Sequence, residues 1–151
     1  MEIVVDDLSG PEIASFLEEH VRDMLAITPV VSKHALDLDA LRRPEITFWS
    51  VLDTDTLVGC GAIKRLDDRH AEVKSMRTAA NRRGTGVASW LLEHILAEAQ
   101  RKGFSRLSLE TGATEPFRPA RRLYAKFGFE YCGPFGDYRP DPLSVFMTRA
   151  I

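Results

Sequence analysis

One stretch, AEVKSMRTAANRRGTGVASWLLEHILAEA at residues 71–99, restricts the fold more than any other part of the chain. It reads as a strand from about His70 to Thr78, a basic loop holding two glycines, and a long helix. The helix shows one apolar stripe: Val87, Ala88, Leu91, Leu92, Ile95, Leu96 and Ala99. Arg101 and Lys102 suit its negative C-terminal end, and Gly103 supplies a left-handed terminator. Arg106–Glu110 then alternates, with Leu107 and Leu109 on one face, so a second strand follows. Strand, helix and strand at this spacing require a right-handed crossover and a parallel strand pair.

Before Thr78 the pattern differs. Residues 2–6 read as a short strand, and Ser9 with Glu12 matches the S-x-x-E capping box around Pro11. Ile13, Phe16, Leu17, Val21, Met24 and Leu25 recur with a helical period up to Thr28-Pro29. A short helix is predicted from about Lys33 to Leu41, with Leu36 and Leu41 facing inward. Ile46–Leu52 and Thr56–Lys64, joined by Asp53-Thr54-Asp55, carry a hairpin signal, and Asp67-Asp68 makes the next turn. Strand follows strand here, so the early sheet is expected to be antiparallel. After the crossover comes a helix with Ala120, Leu123, Tyr124 and Phe127 on one stripe and Gly128 as its cap. Strands near Phe129–Gly133 and Ser144–Thr148 close the chain. The expected class is α/β with an α+β-like mixed sheet, antiparallel at its start and parallel at one βαβ crossover.

Composition sets the outer limits. With 151 residues, 44% of them hydrophobic, residues 1–151 are expected to form a single domain that buries about two-thirds of its unfolded surface. A net charge of -2 disfavours nucleic acid and anionic membrane as primary partners. Apolar runs are too short to span a bilayer, and MEIVVDDLSG has neither region of a signal peptide. Cys60 and Cys132 form no metal or redox spacing. The expectation is a reduced, cytoplasmic protein without a metal.

The chemistry concentrates in the loop. The first turn of a helix leaves N–H groups unpaired, and the macrodipole adds positive potential. Gly84 and Gly86 remove side chains, and Arg82 and Arg83 add charge, so a pyrophosphate could approach the loop amides. The alternative is an ordinary strand-to-helix turn, with glycine for geometry and arginine for solubility. A P-loop is excluded, because no Lys-Ser or Lys-Thr follows these glycines. Gly84–Ser89 matches the dinucleotide fingerprint G-x-G-x-x-G until its last position, and Glu110 ends the next strand. Against a nicotinamide site, that fingerprint usually follows the first strand of a domain. Here mostly antiparallel pattern precedes it, and the strand carries Glu72, Lys74 and Arg77.

The chain resembles the GNAT superfamily of N-acetyltransferases. Arg83-Gly84-Thr85-Gly86-Val87-Ala88 fits its acetyl-CoA signature [QR]-x-x-G-x-[GA], between a strand and a long helix as in that family. A second element, A-x-x-x-Y-x-x-x-G-F, stands as Ala120, Tyr124, Gly128 and Phe129. The tail, with LETG, GPFGDY and DPLSVFM, is similar to a subgroup of small bacterial acetyltransferases, some of which carry an indole-acetic-acid label. The resemblance implies an acyl-CoA N-acyltransferase fold along the whole chain, with direct transfer of acetyl from acetyl-CoA to an amine. It implies that backbone at Met76, Arg77 and Thr78 pairs with the pantetheine arm, where the sheet would splay. An N–H near Met76 would face the thioester oxygen, and loop amides from Arg83 to Ala88, beside Arg82, would hold the pyrophosphate.

The same resemblance gives Tyr124 the role of protonating the departing thiolate; otherwise it is a core tyrosine. Glu72 matches an acid that some relatives use as base, an alkylammonium having a pKa near 10. Its alternative is a solvated carboxylate paired with Lys74 or another neighbour, and Glu110 is the substitute base. Strand alternation would put Glu72, Lys74 and Met76 on one face, with Glu72 about 13 Å upstream of Met76. His20 and His94 read as surface or boundary residues, His34 as a surface histidine near an acceptor wall, and Cys60 as a small core residue. Phe135 and Tyr138 flank a Gly-Asp turn that either borders the acceptor site or is a packed loop. The acceptor is left open among small-molecule amines and peptides, and the family's habit of dimerising raises a homodimer. Two other classes stay in play: a catalytically silent acyl-CoA-binding or sensing domain, and a nicotinamide enzyme.

Overall fold

The structure is a computed structural model that describes residues 1–27 and 38–151. Strands are β1 (Glu2–Val5), β2 (Ile46–Asp53), β3 (Thr56–Arg65), β4 (His70–Thr78), β5 (Arg106–Gly112), β6 (Glu130–Cys132) and β7 (Ser144–Ala150). Helices are α1 (Pro11–Ile27), α2 (Leu38–Leu41), α3 (Val87–Arg101) and α4 (Arg118–Lys126). The sheet is mixed, in the order β1-β2-β3-β4-β5-β7-β6. β1 and β2 are antiparallel, β4 and β5 are parallel, and β7 is antiparallel to both β5 and β6. The parallel register runs His70–Glu72 against Arg106–Ser108, while β5 pairs with β7 from Arg106 to Gly112. The mixed α/β class and the parallel crossover expected from the sequence are both present.

The chain divides into two compact units, one of residues 1–62 with 75–91, the other of residues 63–74 with 92–151. In the first, Leu8, Ile13, Phe16, Leu17, Phe48, Cys60 and Ala62 form a buried cluster, with Leu38, Leu41, Ile46, Leu57 and Ala79 packed on it. In the second, Ile95, Leu107, Leu109 and Met147 are almost wholly enclosed, with Tyr124, Phe129 and Phe146 buried.

Local chemistry explains the element ends. Thr54 and Asp55 both take positive φ, 48° and 66°, the two-residue hairpin turn that matches strand twist. Gly103 (φ 91°) ends α3, where Phe104 N–H bonds to Ala99 C=O and Gly103 N–H to Gln100 C=O. Gly128 (φ 87°) ends α4 in the same way, with Phe129 N–H on Tyr124 and Gly128 N–H on Ala125. Both are Schellman closures, which need a left-handed residue at that point.

Four expectations need correction or fall outside the described residues. Ser9 does not cap α1: the helix starts at Pro11, which puts Gly10 at the cap position, and the Ser9 hydroxyl donates to Asp7 Oδ1 at 2.6 Å. Leu25 is exposed although it shares the apolar period of α1, whose buried residues are Ile13, Phe16 and Leu17. The short helix spans Leu38–Leu41 among the described residues, so Lys33, His34 and Leu36 lie outside them. Alternation along β4 breaks at Ser75, whose φ is 56°. A left-handed residue within a strand re-aims the side chains after it, so Glu72, Lys74 and Met76 do not form one continuous face.

Candidate functional site

All ten residues expected to hold a cofactor lie in the first unit. After β4, Ala80–Arg82 form one 3₁₀ turn, Arg83 is extended, and α3 starts at Val87. Trp90 N–H bonds to Gly86 C=O at 3.0 Å, which makes Gly86 the cap residue of α3. The N–H groups of Val87, Ala88 and Ser89 are then the orphan donors that every helix start leaves. Gly84 and Gly86 have φ of 75° and 91°, and a Cβ added to either would meet nothing within 4 Å. Their requirement is therefore conformational, and the space in front of them is open. Val87 is buried and Ala88 half-buried, whereas Arg83, Gly84, Thr85 and Gly86 are exposed. Thr85 Oγ1 donates to Arg82 C=O, which pins the loop internally.

The arginines divide their work. Arg82 pairs with Asp53 at 2.5 Å, so its guanidinium braces the loop against the β2–β3 hairpin. Arg83 is exposed and lies 3.9 Å from Asp23 of α1. Arg77 turns its side chain inward, pairing with Asp23 at 3.0 Å and Glu19 at 3.5 Å, with Phe16 5.0 Å beneath it. Only main-chain atoms of Arg77 are therefore offered to a ligand. His20 lies 3.5 Å from that guanidinium, and burial, with Arg77 next, lowers it to about 4. Expected as a surface or boundary residue, His20 is half-buried and His94 likewise.

Behind the loop, Gly59 sets the approach of α3 to β3. A Cβ there would stand 2.8 Å from Val87 Cγ1 and 3.2 Å from the Arg77 carbonyl oxygen. Cys60, fully buried, donates its thiol to Ser75 C=O at 3.2 Å and so supports the left-handed turn in β4. Burial pushes this thiol up to about 12, which keeps it a donor and not a nucleophile.

Both residues expected to do chemistry lie in the second unit. Tyr124 is 7% exposed and packs edge-on to Phe129 at 5.8 Å, so its ring is part of the buried core of this unit. Its hydroxyl has no hydrogen-bond partner among the described residues, yet the only sealed side-chain polar atom without one is Arg77 Nε. Burial raises the Tyr124 pKa, so the phenol holds its proton at neutral pH. Glu72 is 4% exposed, not solvated, and forms no ion pair with Lys74 or any other described residue. Tyr138 Oη donates to Glu72 Oε2 at 2.5 Å. Glu110 accepts from Ser144 at 2.9 Å. The sequence placed Tyr138 at a turn that either borders the acceptor site or is a packed loop; its pairing with Glu72 joins positions 66 apart and leaves no local signal.

The model of the Acetyltransferase (GNAT) family matches residues 6–129. The chain belongs to the GNAT family of acetyltransferases. YsnE, an uncharacterized N-acetyltransferase of Bacillus subtilis, is 54% identical over all of both chains. An IAA acetyltransferase of Azospirillum brasilense is 41% identical, covering 92% of this chain and 90% of its own. A crystal structure of a GNAT family acetyltransferase from Elizabethkingia anophelis with acetyl-CoA bound shares the fold. Its TM-score is 0.73 at 18% identity, covering 99% of this chain and 97% of that one. As a GNAT protein the chain is a transferase. Among the described residues no group of three or more His, Cys, Asp or Glu could hold a metal ion, and no helix is long and apolar enough to cross a membrane.

Proposed function

We propose that residues 1–151 act as one N-acetyltransferase domain that moves acetyl directly from acetyl-CoA to a primary amine of a small molecule or peptide. The observation that carries this reading is the open, left-handed Gly84–Gly86 loop capping α3. Its free amides, with the helix dipole and Arg83, suit a pyrophosphate. Main chain at Met76, Arg77 and Thr78 takes the pantetheine arm, just after the left-handed residue Ser75.

In this reading Glu72 accepts one proton from the acceptor's ammonium. The freed nitrogen attacks the thioester carbon, the C–N bond forms, and the C–S bond breaks as the tetrahedral oxyanion collapses. Tyr124 gives its proton to the departing thiolate and regains one from the acylated nitrogen, which sheds its second proton at this point. The products are an amide and CoA thiol, with the ammonium's first proton left on Glu72 to pass to water. No covalent enzyme intermediate is needed, in keeping with Cys60 held as a buried thiol donor.

The test is release of free CoA thiol from acetyl-CoA with a panel of alkylamines, amino acids, an aminoglycoside, and peptides bearing a free N-terminus or lysine. IAA, for which the Azospirillum brasilense relative is named, joins as a competing acceptor class. Amine-dependent release supports the reading. Tight acetyl-CoA binding with no release for any acceptor would replace it with a silent acyl-CoA sensor.

A further inference from the structure

Glu72 is an unusual carboxylate. It is 4% exposed, pairs with no cation among the described residues, and is held by Tyr138 alone. A buried carboxylate normally demands a counter-charge or several donors. We infer that Tyr138 is the positioning residue of the acceptor's base: its hydroxyl holds Glu72 Oε2 so that Oε1 is presented to the incoming ammonium, which supplies the missing charge. The inference rests on the proposed assignment of Glu72 as base.

The surroundings of Tyr138 are built for this. A turn closes from Tyr138 N–H to Phe135 C=O at 3.1 Å, with Gly136 at a φ of 56°. The Tyr138 ring is wedged between Phe135 at 5.2 Å and Phe146 of β7 at 5.5 Å, and Phe135 also stands 5.9 Å from His70. His70, two residues before Glu72, is turned to Ser108 Oγ at 2.6 Å. Ser108 in turn lies 2.8 Å from Thr148 Oγ1. That leaves Tyr138 as the donor on Glu72. Burial, then the charges of Glu72 and Glu110, push the phenol far above its ordinary value, so Tyr138 holds a carboxylate and does not shuttle a proton. Oε2 is the oxygen that Tyr138 holds, and no donor among the described residues reaches Glu72 Oε1.

The experiment is a double-mutant cycle of Tyr138→Phe and Glu72→Gln, using acetyl-CoA and whichever panel amine gives the fastest wild-type CoA release. Tyr138→Phe keeps the ring packing and should lower kcat about 10- to 100-fold, the range for a hydrogen bond to a charged group, with the KM for acetyl-CoA unchanged. Added to Glu72→Gln, it should change kcat less than about two-fold, because the group it acts through is already gone. Wild-type kcat in Tyr138→Phe, or its full loss repeated in the Glu72→Gln background, overturns the inference and leaves the base assignment standing. Phe135→Leu loosens the ring packing but keeps the hydroxyl; an equal loss there would assign the effect to loop packing and overturn the inference too. Full turnover in Glu72→Gln removes both the base assignment and this inference, as does a wild-type protein inactive with every amine.

Discussion

Burial leaves its mark on His20 through a half-buried position beside the Arg77 guanidinium, which lowers it to about 4. Arg83 adds to that effect and Asp23 opposes it. In the unfolded chain the same imidazole takes a proton near 6.5. Between those values the unfolded state binds more protons, so folding stability drops as pH falls from about 6.5 toward 4. His20→Gln should flatten that part of the stability curve. Urea midpoints at pH 7 and pH 4.5 check it, and identical slopes in both proteins would remove His20 as the cause. For Tyr124, removing only the hydroxyl separates two roles. Tyr124→Phe should lower kcat about 10²- to 10⁴-fold with acetyl-CoA affinity unchanged if the phenol protonates the thiolate. Near-normal turnover with a lowered Tm would make it a core tyrosine and nothing more. The motif that singles out Tyr124 was legible because its spacing to Gly128 and Phe129 is local. Tyr138 was not, since its partner lies 66 positions away and only folding brings them together.

Elements were easiest to foresee where one residue decides backbone geometry. Gly103, Gly128 and the Thr54-Asp55 pair each do so, and their positive φ angles end or turn an element where the sequence places them. Ser75 shows the opposite case: a serine carries no left-handed signal, and the carbonyl bond from Cys60 that supports it comes from the neighbouring strand. The kink in β4 was therefore invisible, and the faces taken by the residues after it, Arg77 among them, could not be read from strand alternation. Two glycines around α3 give contrasting predictions. Gly59→Ala drives a methyl into Val87, 2.8 Å away, and overpacking of this kind costs about 1–3 kcal/mol. Its Tm should fall and acetyl-CoA binding should weaken with it, as the start of α3 shifts. Gly86→Asp meets no neighbour within 4 Å, so the protein should stay folded apart from about 1–2 kcal/mol of left-handed strain. Its carboxylate stands where the anion would sit, so acetyl-CoA binding should be lost. Calorimetry on both variants decides, and unchanged affinity in folded Gly86→Asp would take the loop out of the site.

At the scale of the whole molecule the net charge of -2 says little about an anionic ligand, because the relevant potential is local. The α3 start concentrates unpaired amides, and Arg83 stands exposed beside them, while Arg82 is paired with Asp53. An overall composition that disfavours a nucleic-acid partner therefore carries no argument against a local phosphate site. A ligand that binds only the folded chain must stabilise it by mass action, whatever the acceptor is. At a concentration of about 100 times Kd the gain is about 2.7 kcal/mol. For a chain of this size each kcal/mol raises Tm by about 2–4 °C, so acetyl-CoA should raise Tm by about 5–11 °C. NAD at the same concentration should give no shift, because the dinucleotide fingerprint fails at Ser89 and the Gly loop follows the fourth strand, not the first. Gly86→Asp should also give no shift with acetyl-CoA while melting cooperatively on its own. Thermal melts of both proteins with each ligand make the check. An equal shift from NAD and acetyl-CoA would turn the site from a CoA site into a general dinucleotide site.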